Sequence, residues 1–380
     1  MEEAAVRVLV TGARGFIGRN LVAELKTLPD IGVDEFDLDT DPDQFDGLCG
    51  RCGFVFHLAG VNRPPSPDAY MLGNAGPAEA LARALEKNGN ACPIVLASST
   101  QAGLDNPYGR SKLAAEAVLA EHGRRAGAAV WIYRLPNVFG KWCRPDYNSA
   151  VATFCHRIVR DLPIRIDDPA TELSLVYIDD VFREFIGRLE RTRTGEGAPA
   201  ADDGFPGVRP VHRITVGDLA ARIASFRDGR AARTLPDLAD DLTRKLHATY
   251  LSDLPADRIR IPLDTRADGR GSFTELLKSR AGGQVSVNVI RPGAVKGQHW
   301  HHTKCEKFIA VSGRGAVRLR RIDGGEVAEY PIAGERLEII DIPPGSTHSI
   351  ENRGDADLIV VMWADEPFDP GRPDTHPMDV

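Results

Sequence analysis

The chain has 380 residues, 42% hydrophobic and 27% charged, with 47 basic and 54 acidic residues for a formal charge of −7. That length suits two globular domains, and the acidic balance argues against a nucleic-acid or anionic-membrane partner. The opening "MEEAAVRVLV" has no basic leader and enters a strand directly, so a cytoplasmic protein without a membrane span is expected. In chain order, strands are expected at 6–11, 54–59, 93–98 and 130–135, with amphipathic helices at 17–26, 78–87 and 111–120. This alternation predicts a parallel sheet covered on both faces. "RTRTGEGAPAADDGFPGVRP" (191–210) reads as a surface loop. Beyond residues 246–262 the pattern turns to short strands at 284–290, 307–311, 316–321, 336–342 and 357–363, broken by "RPG", "DGG" and "PPGS". Short strands with frequent turns predict an all-β sandwich or barrel. The expected domains are 1–247 and 248–380.

Six cysteines, Cys49, Cys52, Cys92, Cys143, Cys155 and Cys305, form no disulfide framework, as in a reducing compartment. "CGRC" at 49–52 is a lone pair with no redox or metal context.

"TGARGFIG" (11–18) stands between an apolar strand and a helix. Gly12 and Gly15 let the backbone approach a pyrophosphate, and Gly18 lets the helix pack on the sheet. Further on, Tyr108 and Lys112 of "YGRSK" are four apart, on one face of a helix. An ammonium beside a phenol is expected to lower the phenol's pKa, and a serine of "SST" (98–100) can hold a substrate oxygen. Ser98, Ser99 and Thr100 are the candidate hydroxyls. Together these groups suit proton donation to a carbonyl as hydride reaches its carbon. "DEFDLDTDPDQFD" (34–46) carries seven acids. Asp37 or Asp39 at the end of the second strand would hold both ribose hydroxyls and favour NADH; a solvated acidic loop is the other reading. The arginines that could welcome NADPH, Arg14 and Arg63, are remote in sequence.

The ordered set "VTGARGFIG", "HLAGVNRP", "LASST", "NPYGRSK", "YRLPNVFG" and "VYIDDV" resembles the extended short-chain dehydrogenase/reductases over about residues 5–245. The resemblance implies a Rossmann-type doubly wound α/β domain with a nicotinamide cofactor. It implies Tyr108 as acid/base, Lys112 as its aid and ribose ligand, and Ser99 as the matching serine. Gly12, Gly15, Phe16, Ile17, Gly18, Asp37, Ala59, Gly60, Tyr108 and Lys112 would line the cofactor. Asn137, Arg63 and Lys141 would face the substrate.

Gly293, His299, His301, Glu306 and Gly313 follow the spacing of the first cupin pattern, and Pro343, Gly345, His348 and Asn352 that of the second. His299 and His301 alternate by two and so share a strand face, with Glu306 and His348 on neighbouring strands. Three imidazoles and a carboxylate suit Zn, Fe, Mn or Ni, with zinc favoured; Cys305 reads as filler on the outer face. A reductase followed by a jelly-roll cupin resembles the CapF-type bifunctional enzymes of capsule and O-antigen synthesis. "RGSFTE", "GQVSVNVIRPG", "KGQHWHHTKCEKF" and "FDPGRPDTHPMDV" carry that resemblance across the whole chain. It implies C3 epimerisation of a UDP-4-keto-6-deoxy-N-acetylhexosamine in the cupin and C4 reduction in the first domain. The product would be a UDP-N-acetyl-6-deoxy-L-talosamine-type sugar on the way to UDP-N-acetyl-L-fucosamine. It further implies NADPH, although the acidic stretch leaves NADH possible, and a homodimer or higher homo-oligomer. The base at C3 is not named by any motif; His302 and Lys304 are nearby candidates. The alternative is a UDP-sugar reductase with a structural or dimer-forming cupin.

Overall fold

A computed structural model describes residues 6–195, 205–279 and 282–380. The chain divides into two compact units, Met1–Ile223 with Lys245–Leu254, and Ala224–Arg244 with Pro255–Val380. Each is described by itself.

The first unit runs β1 (Val6–Thr11), α1 (Phe16–Leu25), β2 (Ile31–Phe36), α2 (Gln44–Arg51), β3 (Phe54–His57), α3 (Asp68–Lys87), β4 (Ile94–Ser99), α4 (Pro107–Ala126) and β5 (Val130–Leu135). These five strands form one parallel sheet in the order β2-β1-β3-β4-β5. Its strands read as continuous apolar runs because both faces are buried. Val8 and Val10, Phe54 and Phe56, and Val95 and Ala97 enter one core with Leu21, Leu25, Val181 and Phe185. The intervening Leu9, Val55, Ile94 and Leu96 enter the other, with Leu48, Leu81, Leu85 and Leu119. The two-residue period of a strand thus splits one sequence run between two helical layers, which is the expected doubly wound Rossmann-type fold. The order places β1 between β2 and β3. The crevice beyond the carboxyl ends of β1 and its neighbours is where such sheets hold ligands.

The chain continues through β6 (Asn137–Phe139), α5 (Ala150–Val159), β7 (Glu172–Tyr177), α6 (Ile178–Arg193) and β8 (His212–Thr215). β6, β7 and β8 make a small three-stranded sheet. Helix α6 reaches into the loop expected at 191–210, because Leu189 still packs in the core one turn before its end; residues 196–204 of that loop lie outside the described residues. Helices α7 (Val216–Ala231) and α8 (Asp241–Ser252) contribute residues to both units.

The second unit holds β9 (Thr234–Leu235), β10 (Thr265–Asp268), β11 (Gly271–Ser279), β12 (Gln284–Ile290), β13 (Val295–Trp300), β14 (Glu306–Ser312), β15 (Arg314–Arg321), β16 (Ala328–Ala333), β17 (Ile340–Ile342), β18 (Ser346–Asn352), β19 (Leu358–Ala364) and β20 (His376–Pro377). One sheet runs β10-β11-β12-β19-β14-β17 with β9 beside β11, and the other β16-β15-β18-β13-β20. Apart from β9 the pairings are antiparallel, the all-β domain expected. Ile290, Phe308, Val317, Ile350, Leu358 and Val360 pack at its core. Along β12, however, the buried positions are Gln284, Ser286, Asn288 and Ile290. Buried polar side chains require partners or a ligand, so most of this row faces a cavity and only Ile290 joins the apolar core. The strand expected at 336–342 shrinks to Ile340–Ile342. Leu337 and Ile339 are exposed and only one bridge, Ala333 to Arg336, forms upstream; their alternation lacks a partner strand.

Candidate active site and metal centre

In the first unit the turn after β1 is built by geometry that side chains would block. Gly12 has φ +69°, and a Cβ there would lie 2.6 Å from the Ala59 backbone nitrogen; at Gly18 it would overlap the Gly12 carbonyl oxygen. Only glycine satisfies the left-handed backbone and the close approach together. Gly15 stands at the N-cap of α1, and Phe16 and Ile17 form its first turn against the core. Ala59 and Gly60 follow β3, with Gly60 backed by Asn74 and the Lys112 ammonium. Asp37 follows β2 directly. Its carboxylate accepts the Arg14 backbone N–H at 2.7 Å and the Leu38 N–H at 2.8 Å. The Arg14 guanidinium pairs with Asp39. The arginine that looked remote in sequence therefore stands at the acidic stretch, which the strand order β2-β1 brings beside the glycine turn.

Ser99 ends β4, and Tyr108 and Lys112 lie in the first turns of α4. That helix starts sharply because Pro107 sits in its first turn and the Asn106 side chain accepts the Gly109 N–H at 2.7 Å. Ser98 is committed elsewhere: its hydroxyl donates to Glu116 at 2.5 Å, and Arg134 grips the same carboxylate. Thr100 opens a short 3-10 turn. Ser99 is left beside the Tyr108 phenol. The Tyr108 hydroxyl donates to Asn62 Oδ1 at 2.9 Å. Burial raises the phenol's pKa, Ser99 acts against this, and Tyr147 and Tyr70 add to the rise. This corrects the expectation that Lys112 would draw it down. Lys112 is 7% exposed, and its ammonium donates to the Ala97 carbonyl at 3.2 Å. Burial lowers Lys112 to about 8, with Glu116 opposing. A protonated phenol in this setting is a proton donor near neutral pH.

The residues expected at the substrate are not gathered by direct contacts. Asn137 is exposed and donates to the Ser174 carbonyl at 3.4 Å. The Arg63 N–H donates to the Tyr147 hydroxyl at 3.2 Å, and the Lys141 ammonium to Asp179 at 3.2 Å.

In the second unit His299, His301, Glu306 and His348 converge, with one potential ligand atom from each within 4.8 Å of the others. The pairing of β13 with β18 sets His299 opposite His348, with a register shift at Gln298, whose φ is +61°. His301 follows just after β13 ends. Glu306 belongs to the other sheet, on β14 paired with β17 and β19. This corrects the expectation of neighbouring strands: the carboxylate reaches the histidines across the sandwich. Its Oε2 lies 3.4 Å from His301 Nε2 and 3.3 Å from His348 Nε2. Yet His301 Nε2, Glu306 Oε2 and His348 Nδ1 are buried without a hydrogen-bond partner. Unsatisfied buried polar atoms are costly, and a divalent cation would satisfy them, so this donor set fits a metal. Burial lowers His299 to about 4, and His348 and His301 add to this while Glu306 opposes. Burial would raise the Glu306 carboxyl, but the two histidines outweigh it and hold it well below the usual carboxylate range. These shifts favour neutral His299 and ionised Glu306, the protonation states that ligate. A cavity of about 520 Å³ opens onto His299, His301 and Glu306 and is also lined by Lys304, Arg266 and Glu275. Lys304 donates to the Pro373 carbonyl at 3.0 Å; His302 is exposed and packs on Trp300. Cys305 is half-buried and outside the ligand group.

Residues 8–198 match the NAD dependent epimerase/dehydratase family and residues 266–376 the Polysaccharide biosynthesis C-terminal domain. A UDP-2-acetamido-2,6-beta-L-arabino-hexul-4-ose reductase of Pseudomonas aeruginosa is 44% identical over 98% of both chains. The crystal structure of the capsular polysaccharide assembling protein CapF from Staphylococcus aureus superimposes with TM-score 0.89 at 43% identity, over 98% of this chain and all of that one. The chain belongs to the CapF family. A CapF structure with the inhibitor 3-isopropenyl-tropolone matches at TM-score 0.84 and 39% identity, over 99% of this chain and all of that one. As a CapF-family protein with an epimerase/dehydratase domain, the chain is an enzyme that uses a nicotinamide cofactor.

Sequence reasoning missed Asn62, although it lies inside the quoted "HLAGVNRP"; its role depends on a loop folding back onto α4. It also missed Asp374, whose carboxylate accepts the backbone N–H groups of His302, Thr303 and Lys304. No spacing rule links residues so far apart.

Proposed function

We propose that this CapF-family enzyme is bifunctional and acts on a UDP-4-keto-6-deoxy-N-acetylhexosamine. The second unit, a cupin, epimerises C3. The first then reduces the C4 ketone with NADPH to a UDP-N-acetyl-6-deoxy-L-talosamine-type sugar of the UDP-N-acetyl-L-fucosamine route. We place it in the cytoplasm, as a homodimer or higher homo-oligomer. No helix among the described residues is long and apolar enough to cross a membrane. The observation that carries the reading is the convergence of four ligand side chains in a chain whose other unit holds Ser99, Tyr108 and Lys112. The named activity of the Pseudomonas aeruginosa relative supports the substrate class. A tropolone presents two adjacent oxygens suited to chelation, so the CapF inhibitor's chemistry supports the metal.

One functional group explains both sites. A C3 proton is acidic only because C4 is a ketone, and the same ketone accepts hydride. When bound, a zinc ion supplies Lewis acidity toward the ketone oxygen and the nicotinamide supplies hydride. His299, His301, Glu306 and His348 hold the metal; Lys304, which lines the cavity where His302 does not, is the favoured of the two candidate bases. In the first unit Ser99 orients the ketone oxygen, and Tyr108 gives it the phenolic proton. Lys112 holds the nicotinamide ribose and supports the charge left on the phenol. Asn62 accepts the phenol's hydrogen bond until the ketone takes its place.

The test is incubation of the 4-keto-6-deoxy UDP-sugar in D₂O with and without NADPH. Deuterium should enter C3 without NADPH, and the C4 alcohol should form only with it. Reduction without any exchange at C3 would instead favour a reductase with a structural cupin.

A further inference from the structure

The stretch "DTHPMDV", residues 374–380, belongs to no catalytic motif. In the structure it runs alongside the metal ligands. Its strand β20 pairs with β13, setting Pro377 opposite His299 and His376 opposite Trp300. The Gln298 residue that breaks the β13 register is held twice: its carbonyl accepts the Met378 N–H and its side-chain oxygen accepts the Val380 N–H, both at 3.0 Å. The Thr347 hydroxyl, next to His348, donates to the Met378 carbonyl at 2.5 Å. The Asp374 carboxylate gathers the N–H groups of His302, Thr303 and Lys304 at 2.8, 3.0 and 3.1 Å. Its carbonyl oxygen lies 2.5 Å from His301 Nδ1.

That last contact selects a tautomer. A carbonyl oxygen only accepts, so His301 Nδ1 carries a proton, and in the neutral ring that a metal requires the lone pair is then on Nε2. Nε2 is the buried, unpartnered atom that faces Glu306. Such partners on the far ring nitrogen orient a ligating histidine and raise its basicity. Asp374 itself has φ +39°. This left-handed backbone is costly for most side chains and tolerated by aspartate, and here three N–H bonds to its carboxylate hold it.

We propose that residues 374–380 are a strap that positions three of the four metal ligands. Asp374 is its positioning residue: its carboxylate fixes the turn after His301, and its carbonyl makes Nε2 the ligating atom. The inference rests on the reading that these four side chains bind a divalent metal, and deepens it.

The experiment uses the full chain loaded with Co(II), reading the visible absorption band and the affinity from chelator competition. Asp374→Ala and a chain ending at residue 373 should each bind Co(II) about 10–100-fold more weakly, the usual effect of losing such a partner. The absorption band should change shape as His301 loses its fixed orientation. Asp374→Asn keeps an oxygen acceptor for the turn and should recover much of the affinity. Thr347→Val, which removes only the Met378 contact, should weaken binding less. If Asp374→Ala does not fold, the graded losses in Asp374→Asn and Thr347→Val decide. Folded variants, by circular dichroism, with wild-type affinity and an unchanged band would overturn the strap while leaving the metal reading intact. No cobalt band in the wild-type chain would overturn both.

Discussion

Tyr108 is held by opposing neighbours: Ser99 on one side and Asn62 as acceptor of its proton, within a setting whose burial keeps the phenol protonated. Its hydroxyl is therefore a donor that must be able to turn from Asn62 to a substrate oxygen. Tyr108→Phe removes the donor and leaves the core untouched. Ketone reduction, followed by NADPH oxidation, should fall about 10²–10⁴-fold, while deuterium exchange at C3 persists. Wild-type reduction in this variant would remove Tyr108 from the chemistry. Ser98 is the contrasting case: the triplet "SST" offers three hydroxyls, and only packing reveals that Ser98 is spent on the buried Glu116–Arg134 pair.

Two elements share the decision about cofactor. The end of β2 delivers Asp37 and Asp39, and the glycine turn after β1 delivers Arg14. Asp37 bonds the turn's own backbone and is spent in part on structure. Arg14 and Asp39 neutralise each other at an exposed edge, where such a pair is worth little and is readily exchanged for a phosphate. NADPH should therefore be preferred. Asp39→Ala should sharpen the preference by freeing Arg14, and Arg14→Ala should blunt it, read as the ratio of kcat/KM for NADPH to that for NADH. A strong wild-type preference for NADH, relaxed by changing Asp37 or Asp39, would reverse the assignment. The acidic run was legible in the sequence. That Arg14 rather than Arg63 meets it was not, because strand pairing brings together residues 25 positions apart.

On the proposed reading the two chemistries belong to different compact units, so a lesion in one should spare the other. His348→Ala removes one of the four proposed metal ligands from the second unit. C3 exchange should collapse, with bound metal falling in parallel by elemental analysis. Reduction of a ketone already epimerised should remain near wild type, because Ser99, Tyr108 and Lys112 lie in the first unit. Undiminished exchange in metal-free protein would refute the role of the metal. Oxygen consumption by a redox-active iron would move the second unit to a different chemistry.

Sequence alone determined what depends on local spacing. The glycine turn follows from the spacing of Gly12, Gly15 and Gly18 between a strand and a helix, the parallel sheet from apolar runs alternating with helices, and the candidate metal-binding residues from two spaced motifs, one with His299, His301 and Glu306 and the other with His348. Tertiary structure decided what depends on which distant residues share a volume. It sent alternate residues of β1 into two cores, and brought Glu306 to the histidines from the facing sheet. It also raised the Tyr108 phenol by burial where the lysine spacing promised the reverse. Finally, it drew Asp374 back across 73 positions onto His301. Spacing encodes direction along one element; burial and hydrogen bonding between elements exist only once the chain has folded back on itself.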